Sequence, residues 1–433
     1  MAYVSDEQRL IDTAAHMGPV RRRFFLKLAT AAGAGIAAAP LLAACNRDGA
    51  TGGAIESVRG AKLTSGTLTQ QTPPLTNDYW NSWNRGYEVA VNALKCSANS
   101  YVNGSDPTKQ LSQIETVAST GGKMLIGAPV SEAIIPAMGK RCQAAKIHWL
   151  HAWESAPWLT PVDVGDYVVG YVVPPSERAA YEVAKELFRQ IGNEGQVVHI
   201  AGLKGASADY QRTAGLTRAA AETPGIEIVG GLDGGFDREK SRAVMLNLAG
   251  KYPGMKAVFA QSDAEANGVL SVLEERGMKD VKVSGVDGNA EALQKIAQGS
   301  NLVVTHLAVP PYLACYSAVT VFDAMNGWKP ALPERMMFQG STLVTRENAQ
   351  EAYDKVYGSK FPYDVVKMSR TIHPDDWDPQ EEMNPIDPNE LWAGREKNGR
   401  ELNTVYAGAD FKRQFEEVKA LYASHYKSGP FKK

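Results

Sequence analysis

The sequence predicts an α/β protein of two doubly wound lobes with mainly parallel sheets, followed by an extended C-terminal tail. Three observations predict it. From Gly66 onward, short β-rich runs alternate with amphipathic runs of helical period, the pattern of βαβ units. Ten strands can be read in this way, more than one such sheet usually holds. The chain has 433 residues, enough for two or three domains. Hydrophobic residues make up 44% and charged residues 22%, which is globular and excludes a disordered or collagen-like chain. No repeat of fixed period points to a solenoid or propeller.

The first 44 residues read as an export signal. Arg22-Arg23-x-Phe25-Leu26-Lys27 fits the twin-arginine pattern, which delivers folded proteins. The Ala-rich apolar run behind it is broken by glycine and proline and is wrong for a spanning helix. It ends in Leu42-Ala43-Ala44-Cys45, resembling a lipobox, in which Cys45 would be lipidated and become the mature N-terminus. More than one acyl chain anchors stably where a single chain is marginal. Residues 45–65, rich in Gly, Ala and Ser, read as a tether. The net charge of −2 gives no electrostatic reason to expect nucleic acid as a partner. No later apolar stretch is long enough to span a membrane.

The strands expected next are 67–71, 96–102, 123–127, 147–152, 167–172, 196–201, 226–230, 257–261, 281–286 and 302–307. The helices between them are 79–94, 108–120, 131–145, 175–192, 210–223, 238–251, 264–276, 290–298 and 312–325. Helix 175–192 is representative: Pro174-Pro175-Ser176 opens it, Ala179, Val183, Leu187 and Ile191 line one face, and Gly192 ends it. Beyond Gly327, seven prolines from Pro330 to Pro388 interrupt the chain. Few strands are expected there, only helices such as 345–357 and 411–426.

Much chemistry is missing from the sequence. There is no phosphate loop, no G-x-G-x-x-G behind a strand, no H-E-x-x-H and no nucleophile elbow. His148 and His151 are three apart on a predicted strand, so they face opposite sides and cannot chelate one ion together. Neither a catalytic residue, a metal nor a cofactor is expected. Cys96, Cys142 and Cys315 lie in apolar runs and read as buried free thiols, with a Cys96–Cys142 bridge as the alternative in an oxidising compartment.

Aromatic residues are concentrated instead. Trp80, Trp83, Trp149, Trp153 and Trp158 all fall between residues 80 and 158. Trp80 follows the first strand and Trp153 the fourth, and in open α/β sheets ligands bind off the carboxyl ends of strands. Trp149, in mid-strand, reads as core. Flat aromatic faces suit the C–H face of a sugar ring, or a cation.

The second half contains Gly234-Gly235-Phe236-Asp237-Arg238, then Asn247-Leu248, Tyr252-Pro253, Ala257-Val258-Phe259-Ala260-Gln261-Ser262-Asp263 and Gly285-Val286-Asp287-Gly288. In order and spacing, residues 66–328 resemble the periplasmic sugar-binding proteins of the ribose/galactose/xylose type, the receptors of ATP-driven (ABC) importers. The resemblance implies two Rossmann-like lobes with parallel sheets, joined by a hinge of three crossovers, with a sugar or polyol in the cleft. Lobe one is expected over 66–171 and 312–328, lobe two over 172–311, and an extension of unassigned role over 329–433.

The resemblance further implies site residues. Asn77, Tyr79 and Trp80 would act from lobe one. Arg212, Phe236 and Asp287 would act from lobe two, with Arg212 and Asp287 holding hydroxyls. Ser262-Asp263 stands where the family commonly has Asn-Asp, Trp153-Glu154 where it has Asp-Arg, and Tyr312 where it has glutamine, so the pocket is expected to be more aromatic than a ribose site. The implied partners are a sugar or polyol, the importer permease and, through Cys45, the membrane; a monomer is expected. Sugar-responsive repressors of the same fold need a DNA-binding module where this chain has an export signal. Two alternatives are a sensory receptor using the same closure, and a quaternary amine held by Trp153 and Glu154.

Overall fold

The computed structural model describes residues 54–75, 77–392 and 401–432. The paired arginines, Cys45 and the tether up to residue 53 lie outside the described residues. A small antiparallel pair, β1 (Ala54–Glu56) and β2 (Lys62–Thr64), leads into lobe one.

Lobe one opens with β3 (Thr67–Thr72), α1 (Asp78–Ala93), β4 (Ser97–Val102), α2 (Pro107–Ser119), β5 (Met124–Gly127), α3 (Ile135–Ala145), β6 (His148–Ala152) and β7 (Val168–Val173). The β3 and β5–β7 runs are almost wholly buried, as expected for strands covered on both faces. The helices start where the sequence supplies caps: Asn77 accepts from the Tyr79 N–H, and Asp106, followed by Pro107, accepts from Thr108 and Lys109.

Lobe two continues with α4 (Ser176–Gln190), β8 (Gly195–Ala201), α5 (Ser207–Ala221), β9 (Ile226–Asp233), α6 (Arg238–Lys251), β10 (Ala257–Ala260), α7 (Asp263–Glu275), β11 (Lys282–Ser284), α8 (Ala290–Ala297) and β12 (Leu302–Leu307). On α4 the buried face is Ala179, Ala180, Val183, Ala184, Leu187 and Phe188. Phe188 fills the end of that face, and Ile191 sits half-buried at the C-cap. Helix α9 (Pro310–Met325) then returns to lobe one and packs on α1. The approach is so close that a Cβ on Gly86 would lie 2.1 Å from the Pro311 carbonyl, so only glycine fits there.

The segment expected to form a separate extension is woven into both lobes instead. It supplies β13 (Met336–Gln339), β14 (Thr342–Thr345), α10 (Ala349–Tyr357), α11 (Val365–Met368), β15 (Met383–Pro385), α12 (Pro388–Trp392) and α13 (Ala409–His425). The lobe-one sheet has seven strands in the order β4-β3-β5-β6-β7-β13-β15, and the lobe-two sheet six in the order β9-β8-β10-β11-β12-β14. All neighbours are parallel except β15 and β14, which run antiparallel at the edges. The physical reason is edge pairing: β7 and β12 each leave a row of backbone groups open, and the tail satisfies both.

Two boundaries move as a result. All of β7 belongs to lobe one, so the first crossover is 174–175 rather than 171–172. The second is 308–309. The third, 340–341, and a fourth passage, 358–364, both lie in the tail. The tail is pinned to α9 by Asp323, whose buried carboxylate accepts from the Ser369 and Thr371 hydroxyls and the Arg370 and Thr371 N–H groups at 2.5–3.2 Å. Arg370 stacks over Trp377 at 3.8 Å and pairs with Glu334 at 2.5 Å.

Cys96, Cys142 and Cys315 are all free, so the structure does not contain the alternative Cys96–Cys142 bridge. Cys142 and Cys315 are buried and Cys96 partly so; burial pushes the Cys96 thiol up to about 12. Trp149 is core, as its mid-strand place suggested. Among the described residues no helix is long and apolar enough to cross a membrane.

Candidate functional site

The carboxyl ends of the two parallel sheets face each other across a cavity of about 240 Å³, small beside the ~300–1,000 Å³ of typical ligand pockets. Its lobe-one wall comes from two loops. The turn after β3 brings Pro73 and Pro74, then Asn77, and the first turn of α1 presents Tyr79 and Trp80. The turn after β6 brings Trp153 and Glu154. These aromatic rings hold one another. Tyr79 meets Trp80 edge-on at 5.1 Å and Trp153 edge-on at 5.0 Å, and the Trp153 indole N–H donates to the Tyr79 hydroxyl at 2.5 Å.

The lobe-two wall is built around charge. Arg212, on the second turn of α5, is buried and donates Nη2–H to Asp287 Oδ1 at 3.0 Å, while Nη1–H donates to the Gln261 carbonyl. Its guanidinium lies over the ring of Trp153 at 5.3 Å and of Phe236 at 5.6 Å. Burial pushes the Asp287 carboxyl up to about 6, although the Arg212 charge pulls it the other way.

Four cavity residues that are not glycine occupy positive φ: Ser105 at 59°, Trp153 at 68°, Phe236 at 56° and Asp287 at 131°. Such backbone strain concentrates at ligand sites. Phe236 and Asp287 are held from outside. Phe236 N–H donates to Glu265 Oε1 at 2.9 Å, and its carbonyl accepts from Asn77 Nδ2, across the cleft, at 3.1 Å. Asp287 is tied by backbone bonds to His306 and Ala308 beside β12. The Phe236 ring lies where a Cβ on Gly202 would stand, 2.2 Å away.

Glu154 does something the sequence did not suggest. The N-cap position of helix α5 is Ala206, whose methyl cannot cap it. Glu154 reaches across from lobe one and accepts the Ser207 N–H at 2.8 Å. The Ser207 hydroxyl in turn donates to the Trp153 carbonyl and accepts from Ser155 N–H, each at 3.3 Å. A carboxylate at a helix N-terminus is favoured by the dipole, yet burial pushes this carboxyl up to about 7.

Of the residues expected at the site, Asn77, Tyr79, Trp80, Trp153, Glu154, Arg212, Phe236 and Asp287 are brought together in the cavity. Ser262, Asp263 and Tyr312 are not. Ser262 caps α7, its hydroxyl accepting from Glu265 N–H at 3.2 Å. Asp263 is fully buried behind Asp287, bound to Thr305 Oγ1 and Asn289 N–H at 2.6 Å each; burial, then the neighbouring Asp287, pushes it up to about 7. Tyr312 is buried between Tyr316 and Tyr363, because the tail supplies Tyr363 as its partner. Of the two groups weighed for a quaternary amine, Trp153 has the Arg212 guanidinium over its ring and Glu154 accepts from Ser207 N–H with Oε2.

Several lining residues were not singled out in the sequence. Pro129 and Val130 follow β5, and Leu203, Ala206 and Ala208 surround the start of α5. Glu265 was also missed; one carboxylate inside a helix sequence gives no sign that it orients a distant loop. Tyr357, from the tail, donates to the Gly288 carbonyl at 2.9 Å, beside Asp287.

A family model for the periplasmic binding protein domain matches residues 72–327. The ribose import binding protein of Salmonella typhimurium is 25% identical over 273 residues, covering 63% of this chain and 89% of its own length. That of Bacillus subtilis is 27% identical over 263 residues, covering 61% and 83%. Among solved structures, an ABC transporter solute-binding protein of Bacillus halodurans with bound myo-inositol aligns with a TM-score of 0.60 at 24% identity, over 67% of this chain and 97% of that one. A twin-arginine translocation pathway signal protein of Burkholderia phytofirmans aligns at 0.65 and 22% identity, over 69% and 95%. The structural alignments show the same two-lobed fold.

Proposed function

The chain belongs to the periplasmic binding protein domain family, and from that premise we propose that it is an extracytoplasmic solute receptor. It captures one sugar or polyol between its lobes, closes on it, and presents the closed form to an ABC importer. The observation that carries this reading is the cavity itself: the buried Arg212–Asp287 pair on one lobe faces the Tyr79–Trp80–Trp153 wall on the other. A carboxylate and a guanidinium suit hydroxyls, and aromatic faces suit the C–H face of a ring. The ribose-binding relatives and the inositol-bound neighbour support the ligand class. Ligand contacts to both lobes would favour the closed form over the open one.

The Arg22-Arg23 motif and Leu42-Ala43-Ala44-Cys45 support export in folded form and attachment through a lipid on Cys45. The receptor is expected to act as a monomer. Titration with pentoses, hexoses and polyols should raise the melting temperature by mass action. It should also change tryptophan fluorescence, since Trp80 and Trp153 line the cavity; a panel that moves neither signal would exclude this ligand class. In the same preparations, Cys45→Ser should shift the protein from the membrane to the soluble fraction, and retention on membranes with the signal removed would exclude the anchor.

A further inference from the structure

Several of the polar side chains that line the cavity are engaged with the protein. Asn77 uses Oδ1 on the Tyr79 N–H and Nδ2 on the Phe236 carbonyl. The Trp153 N–H is given to Tyr79. Asp237 accepts from Lys240 N–H with Oδ1, and Glu154 accepts from Ser207 N–H. The rest of the wall is largely apolar: Pro73, Pro74, Pro129 and Val130 on one side, Leu203 and Ala208 on the other, with the rings of Trp80 and Phe236, and the exposed Ser105 as the polar exception. The buried charged groups of the lining are Arg212, Asp287 and Glu154. The Arg212 Nε–H is buried and has no hydrogen-bond partner, a donor that protein atoms leave unpaired.

We infer that the cleft selects a ring compound with hydroxyls along one edge and an otherwise apolar outline, a partly deoxygenated sugar or cyclitol rather than a fully hydroxylated one. The inference rests on the sugar-or-polyol reading above and deepens it. The hydroxylated edge lies against Arg212 and Asp287, with Arg212 Nε–H donating to a ligand oxygen and Asp287 accepting from a ligand hydroxyl. The deoxygenated side meets Trp80, Phe236 and the prolines. A hydroxyl on that side would be stripped of water and left without a partner.

Calorimetric titration of the protein with matched pairs tests this: D-fucose against D-galactose, L-rhamnose against L-mannose, and trans-1,2-cyclohexanediol against myo-inositol. At least one deoxygenated member should bind tenfold or more tightly than its hydroxylated parent, a difference of about 1.4 kcal/mol. Leu203→Asn, which places an amide in the apolar wall, should narrow that ratio by improving binding of the parent. Parents that bind as well as or better than their deoxygenated partners in every pair would overturn the inference and leave the sugar-or-polyol reading standing. If no carbohydrate or polyol binds at all, both fall.

Discussion

The two walls of the cleft present aromatic and polar groups of similar bulk but are held together in opposite ways. On lobe one, Tyr79, Trp80 and Trp153 satisfy one another by edge contacts and a single hydrogen bond. Removing one ring costs contact area and leaves little unpaired. On lobe two, the buried Arg212 is joined to the buried Asp287, to the Gln261 carbonyl and to the faces of Phe236 and of Trp153 from the other lobe. Removing one member there leaves another buried and uncompensated. One wall is therefore tolerant and supplies shape, whereas the other is brittle and supplies charge.

The sharpest break of this contrast is Arg212→Met. Breaking a buried pair by deleting one partner costs about 3–5 kcal/mol. Here the loss should fall at the low end, because Asp287, already raised to about 6, would take up a proton. Denaturant unfolding should show the loss, and Arg212→Met/Asp287→Leu should recover part of it. A single variant as stable as the parent would show that the pair does not hold the wall together. The matching change on the other side, Trp80→Ala, should leave the unfolding midpoint nearly unchanged, since Trp80 is only partly buried. It should weaken ligand binding by about tenfold, about 1.4 kcal/mol, through lost ring contact. Destabilisation by Trp80→Ala as large as that by Arg212→Met would erase the distinction between the walls.

The same contrast explains what could be read from sequence. The βαβ rhythm located the strands and helices of residues 67–325 closely, because buried parallel strands and capped amphipathic helices are local patterns. Phe236 and Asp287 were placed through the family resemblance, each inside a stretch that carries it, Gly234-Gly235-Phe236-Asp237-Arg238 and Gly285-Val286-Asp287-Gly288. The tail strands could not. Met336-Met337-Phe338, just behind Pro333, and Leu343-Val344 are too short to read as strands, and they form because β7 and β12 offer them open edges. Ser262, Asp263 and Tyr312 were misplaced for a related reason. Position in a motif says which turn a residue occupies, but not that a hydroxyl caps its own helix or that Tyr363, far along the chain, packs over Tyr312. Glu154 lay in the right loop, but its partner is a helix end of the other lobe that lacks a capping side chain.

That contact is one of those that join the two walls, with Asn77 on the Phe236 carbonyl and Arg212 over Trp153, and it gives the smallest expected effect. The Glu154 carboxyl is raised from its ordinary value of 4.5 to about 7, chiefly by burial. An acid whose folded value is raised binds its proton more tightly when folded than when unfolded. Its contribution to stability is complete below about 4.5 and is lost as pH rises through about 7. Asp287, Asp263 and Glu381, raised to about 6, 7 and 8, act with the same sign, so the parent alone cannot isolate Glu154. Glu154→Gln can, because the amide oxygen can still accept the Ser207 N–H but does not titrate in this range. The variant and parent should be closest in stability near pH 5, and the variant should gain on the parent as pH rises to 8. The gain is bounded at about 1.4 kcal/mol per pH unit for one group, and less is expected because the helix N-terminus favours the charged form. Melting temperatures measured in parallel across that range decide it. A constant offset between the two proteins would mean that Glu154 stays ionised throughout, and that the bridge between the tolerant wall and the brittle one is an ordinary surface-like cap.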